Sequence, residues 1–151
     1  MASIATMTLV RIALFFLLLS PGACVAQLEL AGCRSYEPAA VTLHGRLVRE
    51  IFAGRPSYRD TRKGDEAEIV WLVTLDSPIC MNQGQAAPDL NPSQKNVRKV
   101  QLVLNKEDGE RAKALLGKRV VATGSLFGAH TGQHHTPVLL TVTYLDLSRW
   151  K

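Results

Sequence analysis

Three of the chain's four histidines lie close together near its C-terminal end: His130, His134 and His135. Imidazole is the commonest side-chain ligand of transition metals, and its two ring nitrogens also contact polar ligands. No cysteine or carboxylate stands beside these histidines, whereas closed structural zinc sites draw on thiolates. We therefore expect a loop that contacts a ligand without a metal. Metal binding by the three histidines, and rings that only hydrogen-bond loop carbonyls, are the alternatives.

A second group of residues combines basic side chains with an aromatic ring in the segment 51–65. Its members are Arg55, Tyr58, Arg59, Arg62 and Lys63. The same segment contains only two acidic residues, Asp60 and Asp65. Basic side chains interleaved with an aromatic ring are typical of proteins that bind nucleic acids. For an exported protein of modest charge, we expect an anionic glycan, a peptide or an envelope protein as partner, and no nucleic acid. A solvated charged loop without a partner is the alternative.

The sequence lacks the motifs of common hydrolases and nucleotide-dependent enzymes. It contains no G-x-S-x-G, no H-E-x-x-H and no glycine-rich phosphate loop after a strand. Asp65, Glu66 and Glu68 are neighbours, but nothing marks them as an acid–base pair. We therefore predict a non-enzymatic protein that uses no cofactor.

The first 26 residues have the organisation of a secretory signal peptide. Arg11 precedes the apolar run 12–19, and Pro21 and small residues follow, in the order of a basic region, an apolar region and a cleavage site. We predict cleavage near Ala26 and a periplasmic or secreted protein. No apolar run reaches the roughly 20 residues that span a bilayer, so we expect no membrane span after signal removal. A lipoprotein acylated at Cys24 is the alternative.

Removal of that segment leaves two cysteines, Cys33 and Cys80. An even number in an oxidising compartment favours a disulfide, and closing a loop of this length stabilises the fold by ~4 kcal/mol in the chain-entropy model. Two separate buried thiols are the alternative, because a sequence does not give the distance between Cα atoms.

The composition is that of one globular domain, which we place at residues 27–151. The 151 residues are 46% hydrophobic and 21% charged, with a formal net charge of +5. These values exclude a disordered tail, a collagen and a coiled coil. The length suits a single domain, and we expect a monomer.

Five segments show the alternation or the β-branched composition of strands, and one predicts a helix. The helix, 106–116, has Asn105 as N-cap and Gly117 after its end. The order β-β-β-α-β-β predicts an all-β fold with one helix, a small five-stranded barrel like the OB-fold. A small β-sandwich or an open sheet covered by the helix is the alternative. The predicted strands are 41–47, 68–75, 100–104, 119–126 and 138–147.

Several details follow from individual residues. The run 76–78, with Pro78, predicts the end of the second strand, and Gly124 predicts a bulge or bend in the fourth. In the fifth strand, Val138, Leu140, Val142 and Tyr144 alternate onto one face. The connection 81–96, rich in Asn, Gln, Pro and Ala, predicts a mobile surface loop.

In an OB-fold, the loops after the first and fourth strands flank one binding face. The connections 51–65 and 127–137 hold these places. We therefore predict that the histidine cluster and the basic segment form the rim of one ligand site.

Two stretches together resemble the bacterial family called domain of unknown function 4431. One is GSLFGAHTGQHHTPVLL at 124–140, and the other joins CRSYEP at 33–38 with VTLHG at 41–45. In the family a histidine often stands where this chain has Gln133. Members are exported, and similar segments accompany lysozyme-inhibitor-like domains in envelope proteins. The resemblance implies the cell envelope and a binding role, and it carries over no catalytic residue.

The residues and the resemblance together predict an exported, non-enzymatic binding module for an envelope ligand. An inhibitor of a lysozyme-type cell-wall hydrolase, acting by protein–protein contact, is the first alternative. Metal binding by the histidine cluster is the second.

Overall fold

A computed structural model describes residues 32–149 and shows an all-β fold with one α-helix, as predicted. A short 3-10 helix, Thr61–Lys63, lies between the first two strands. The predicted signal peptide, with Cys24, lies outside the described residues. Within 32–149, no helix is long and apolar enough to cross a membrane. The elements are β1 (Ala40–Ala53), β2 (Ala67–Met81), β3 (Gln94–Val103), α1 (Lys106–Leu115), β4 (Arg119–Gly128) and β5 (Val138–Leu147).

The five strands form a sheet that closes into a ring in the order β1-β2-β3-β5-β4. The ring closes because β4 pairs with both β5 and β1. The pairings are antiparallel except for that between β3 and β5. The core lies inside the ring, where alternate side chains of every strand are buried. Its fully buried members include Leu47, Val100, Val120, Leu126 and Leu140, each of which stabilises the fold by roughly 1.5–3 kcal/mol.

Helix α1 connects β3 to β4 and begins and ends where the sequence predicts within one residue. The Asn105 side chain accepts a hydrogen bond from the Asp108 backbone N–H at 2.8 Å, which caps the first turn. Gly117 has a φ of 77°, a left-handed conformation that ends the helix without strain. Ala112 and Leu115 are buried in the core. The sequence predicts an apolar stripe of Ala112, Leu115 and Leu116, but Leu116 is exposed because it lies after the last helical turn.

The pairing of β4 with β5 is irregular beside Gly124, but the extra residue lies in β5 and not in β4, where the sequence predicts a bulge or bend. Thr123 pairs with Tyr144 and Gly124 with Val142, so Thr143 is an extra residue in β5. An extra residue inverts the alternation of the strand beyond it. Tyr144 is therefore 48% exposed, and Leu145 takes the inward position. The prediction that Tyr144 lies on the same face as Val138, Leu140 and Val142 is wrong for this reason.

Strand β2 continues past the predicted stop at 76–78 and ends at Met81. The pairing with β3 changes register between Thr74 and Ile79, and residues 76–78 in this irregular segment are exposed. Pro78 lies there, and it lacks the N–H that a regular ladder requires. The proline is accommodated in this irregularity and does not end the strand.

The segment before β1 is joined covalently to the end of β2. The Sγ atoms of Cys33 and Cys80 are 2.09 Å apart and their Cα atoms 4.5 Å apart, which are disulfide distances. The Arg34 N–H also donates to the Cys80 carbonyl at 2.7 Å. The predicted pairing of the two cysteines is confirmed.

The connection between β2 and β3 is anchored, in contrast to the predicted mobile loop. Asn91 is buried, and its side-chain oxygen accepts a hydrogen bond from the Gly128 N–H at 2.8 Å. The Tyr36 hydroxyl donates to the Pro92 carbonyl at 2.8 Å. A polar composition predicted exposure here, but one buried asparagine attaches the centre of the connection to β4.

Candidate functional site

The basic loop, residues 54–66, is organised around the carboxylate of Asp65. This buried carboxylate accepts hydrogen bonds from the backbone N–H groups of Arg59 and Asp60, at 2.8 and 2.9 Å, and from Ser57. These bonds favour the charged form, those from the Arg59 and Asp60 backbone most, and they hold the pKa of Asp65 well below its usual range. The ionised carboxylate therefore fixes the path of the loop.

The basic side chains of this loop are exposed but only partly available. Arg62 pairs with Asp60 at 3.1 Å. Arg55 and Arg59 are exposed and form no ion pair with any residue in 32–149. Residues 54–66 contain four basic and three acidic residues, so the loop has little net charge. Its free cationic groups are therefore those of Arg55, Arg59 and Lys63.

The histidine loop, residues 129–137, folds back over the outer surface of the sheet, where Gln101 of β3 holds it. The Gln101 side chain is buried, with 8% of the residue exposed. Its Oε1 accepts from the His135 N–H at 2.7 Å, and its Nε2 donates to the Gln133 carbonyl at 2.9 Å. The Gln101 backbone N–H donates to Thr136 Oγ1 at 3.0 Å. One side chain thus satisfies two backbone groups of the loop.

The loop covers an apolar surface outside the ring. Leu72 of β2 and Leu139 of β5 both pair directly with Gln101, and directly paired residues share a face of a sheet. Both leucines are fully buried, although neither belongs to the core inside the ring. Phe127 continues this row, because it pairs with Leu139. The loop therefore rests on a small second apolar cluster.

His135 attaches the loop to the β1–β2 hairpin. Its ring stacks on Phe52, with centroids 4.4 Å apart and an interplanar angle of 14°. Its Nε2 lies 3.1 Å from Oε2 of Glu68, the residue that pairs with Phe52 across the hairpin. The side chain is only 9% exposed. His135 is thus a packing residue, and little of its ring faces solvent.

His130 and His134 form a separate pair beside Phe127. Their rings meet edge to face at 4.6 Å, and His134 meets Phe127 at 5.5 Å. The His134 Nδ1 accepts from the His130 N–H at 3.0 Å, so this nitrogen carries no proton. The His130 Nδ1 lies 3.0 Å from the Gly128 carbonyl and must donate to it. Burial, together with the nearby His130 and His135, lowers the pKa of His134.

The structure does not bring the three histidine rings to one point. His130 and His134 lie together, whereas His135 turns towards Phe52 and Glu68. Across the described part of the chain, no three His, Cys, Asp or Glu side chains are placed to hold a metal ion. A three-histidine metal site therefore has no support from this geometry.

The histidine loop and the basic loop are in contact. The Tyr58 ring lies against Gly132, where a Cβ would come within 2.6 Å of Cδ2 of the ring. Tyr58 has a φ of 57°, an uncommon conformation for a bulky residue. A pocket of about 210 Å³ lies between the loops and the hairpin. It is lined by Gly54, Arg55, Glu66, Ala67, Glu68 and Gln133. We call these two loops together the joined loops.

Comparison with known families locates a related segment within this arrangement. Residues 99–146 match a family model described as Domain of unknown function (DUF4431). Over this segment the chain is similar to that family. The resemblance predicted from the sequence is confirmed over about a third of the chain. No curated protein and no solved structure matches the chain.

The DUF4431 segment contains the histidine loop and the residue that braces it. It runs from the middle of β3 to the end of β5 and includes Gln101. The basic loop, the hairpin and the disulfide lie outside it. Since β1 and β2 complete the ring and support His135, the segment depends on the rest of the domain for its surroundings.

Sequence reasoning missed the residues that position the predicted site. Gln101 lies between Val100 and Leu102 in a predicted strand, and nothing in the sequence marked it as a contact of the histidine loop. Glu68 gave no signal of its contact with His135, because the two are far apart in sequence. Asp65 was predicted only as a charge. Its position just before a strand, in a loop with Ser57, was the available signal for a carboxylate that caps backbone N–H groups.

Proposed function

We propose that the domain is of the OB type and that the joined loops form its ligand-binding surface. The order β1-β2-β3-β5-β4, with α1 between β3 and β4, supports this fold. OB-folds bind ligands through the loops after strands one and four and the face of strands two and three. In this chain those loops are the basic loop and the histidine loop. The histidine loop covers part of the β2–β3 face, which leaves the outside of the loops for a ligand.

We propose that the protein is an exported, non-enzymatic binding module for an anionic envelope ligand: a glycan, a peptide or a protein segment. The contact between Tyr58 and Gly132 carries this proposal, because it makes one surface of the two loops. Arg55 and Arg59 provide cationic groups without internal partners, and Glu66 and Glu68 limit the total charge. A surface of this kind suits a ligand with one or two carboxylates. It suits nucleic acid poorly, since nucleic-acid affinity depends on neutralising many phosphates.

Export is part of the proposal. The disulfide-distance pair Cys33 and Cys80 is compatible with an oxidising compartment, and the order of residues 1–26 supports a cleaved signal peptide. N-terminal sequencing of the protein recovered from the periplasm should start near Gln27. A chain that retains Met1, or a lipid on Cys24, contradicts the proposal.

Binding is tested with the purified exported protein and soluble muropeptides, which carry sugar rings and free carboxylates. The double variant Arg55→Ala/Arg59→Ala should bind about three- to tenfold more weakly, the loss expected for two exposed charge contacts. The matched control is Lys95→Ala/Arg98→Ala, which removes two exposed cations from β3. Equal weakening by both double variants would indicate general charge attraction and contradict a site at the joined loops.

The same variants separate the glycan ligand from a protein partner. Envelope extract is passed over the immobilised protein, and bound hydrolases are assayed for muramidase activity. Retention of a lysozyme-type hydrolase, with activity that falls in proportion to added protein, would support the inhibitor alternative. Loss of that inhibition in Arg55→Ala/Arg59→Ala would place the hydrolase on the joined loops.

A further inference from the structure

A second pocket lies on the outer face of β1, β4 and β5, away from the joined loops. It has a volume of about 200 Å³, and its lining includes His44, Val121, Tyr144, Asp146 and Ser148. Val121 and Phe127 are six positions apart in β4, or about 20 Å at the rise of a strand. A ligand of ordinary size at the joined loops would not reach this pocket.

The pairing of β1, β4 and β5 places one residue at the base of this pocket and one on each side of it. His44 pairs with Val121, and Val121 pairs with Asp146, so the three residues form one row on the outer face. The first and third strands of such a row are about 10 Å apart. The polar side chains of His44 and Asp146 thus stand on either side of the apolar Val121.

The bulge in β5 places an aromatic ring beside this row. Because Thr143 is an extra residue, Tyr144 faces outward together with Asp146. The Tyr144 hydroxyl donates to Oδ2 of Asp146 at 3.2 Å, which orients the two side chains relative to each other. Bulges that re-aim a side chain are frequent near functional sites. The result is a half-exposed ring next to a carboxylate.

Ser148 gives an independent indication that the pocket accepts a polar group. Its Oγ is the one side-chain polar atom, among residues 32–149, that is buried without a hydrogen-bond partner. A buried hydroxyl left unsatisfied costs roughly 1–3 kcal/mol, and an isolated case in a native protein calls for an explanation. Ser148 lines this pocket, and a side-chain rotation that turned its buried Oγ towards the cavity would let a bound hydroxyl group supply the missing partner.

The pocket offers both acceptors and donors, because Arg149 also lines it and its guanidinium carries several N–H groups. Asp146 accepts from the Tyr144 hydroxyl and from the Leu147 N–H, which leaves about two of the roughly four acceptor positions of a carboxylate. These bonds, the backbone one most, lower the pKa of Asp146, so the group stays ionised. The His44 ring makes no hydrogen bond to a described residue. Because the Asp146 carboxylate and the Arg149 guanidinium carry opposite charges, the pocket favours a neutral ligand.

We propose that this pocket binds a neutral sugar residue, which stacks on the Tyr144 ring and donates its hydroxyls to Asp146 and Ser148. A sugar ring has an apolar face for the aromatic side chain and neighbouring hydroxyls that donate to a carboxylate. The pocket is smaller than the roughly 300–1,000 Å³ of sites for drug-sized ligands, and its size suits one ring of a longer chain. The site is separate from the joined loops and does not depend on their function.

The test is an NMR titration of the full exported protein with three neutral trisaccharides: N,N′,N″-triacetylchitotriose, cellotriose and maltotriose. We expect at least one of them to cause saturable amide shifts confined to residues 42–46, 119–123 and 143–149. The absence of saturable shifts with all three would overturn the proposal. Shifts confined to the joined loops would overturn it as well, because the sugar would then bind the other surface.

Single substitutions test which side chains contact the sugar. Tyr144→Ala should weaken binding about tenfold, within the range of an aromatic contact and its buried area, whereas Tyr144→Phe should keep most of the affinity. Ser148→Ala should weaken binding and leave the free protein as stable or more stable, since it removes an unsatisfied hydroxyl. The matched control is Thr141→Ala, an exposed position of the same strand. Unchanged affinity in Tyr144→Ala, or equal loss in Thr141→Ala, would contradict the proposed site.

Discussion

Replacement of Gln101 by alanine should release the histidine loop from the sheet. The side chain satisfies the His135 N–H and the Gln133 carbonyl at 2.7 and 2.9 Å. Each hydrogen bond contributes about 0.5–1.5 kcal/mol net, and a group left buried without a partner costs more. Truncation also leaves a gap above Leu72 and Leu139. We therefore expect a loss of about 2–3 kcal/mol in the free energy of unfolding.

Urea unfolding measures that loss, and hydrogen exchange of the His135 amide locates it. Gln133→Ala is the matched control: it removes an exposed glutamine side chain from the loop and keeps the backbone carbonyl that Gln101 binds. We expect the control to stay within about 0.5 kcal/mol of the wild type. The reasoning is refuted if Gln101→Ala is as stable as this control, or if protection of the His135 amide is unchanged.

Three further predictions follow from contacts of single residues. Reduction of the Cys33–Cys80 pair, or Cys33→Ala/Cys80→Ala, should lower the free energy of unfolding by up to ~4 kcal/mol. Intact mass with and without reductant establishes the bond. Freely alkylated thiols in the native protein would exclude it. Protonation of His134 breaks its bond from the His130 N–H, and its pKa is lower in the folded state. Stability should therefore decrease as the pH falls below about 6.5, the unfolded value, and urea midpoints at several pH values should show a smaller decrease in His134→Gln. Gly132→Ala should push the Tyr58 ring away and lower the free energy of unfolding by about 1–3 kcal/mol. An unchanged melting temperature together with unchanged Tyr58 NMR shifts would show that the two loops are not in contact.

The fold class could be predicted because its signals are local. Alternation along the strands, the Asn105 cap and Gly117 identify the elements without reference to distant residues. The face of Tyr144 could not be predicted in the same way, because one extra residue in β5 inverts the alternation and only the pairing with β4 reveals it. Pro78 led to the wrong prediction that β2 ends at 76–78. An irregular segment of β2 accommodates this proline, and only the pairing with β3 reveals it.

The candidate site could be predicted only as two groups of residues near each other. The places of the basic and histidine loops in the strand order were enough to suggest their proximity. The roles of the histidines depended on partners far away in sequence, since His135 meets Phe52 and Glu68. Their separation into a pair and a single packing residue follows from these long-range contacts. No spacing rule within 129–137 contains that information.

Closure of the sheet restricts where this domain can change length. In an open sheet, an inserted residue can be absorbed by sliding an edge strand, but β1 and β4 pair here and leave the ring without such an edge. A one-residue slip would turn inward-facing side chains outward and would have to be matched by the neighbouring strands. Insertions and deletions should therefore concentrate in the basic loop and the histidine loop. The surface proposed to meet ligands is thus where relatives can diverge in length while the ring stays intact.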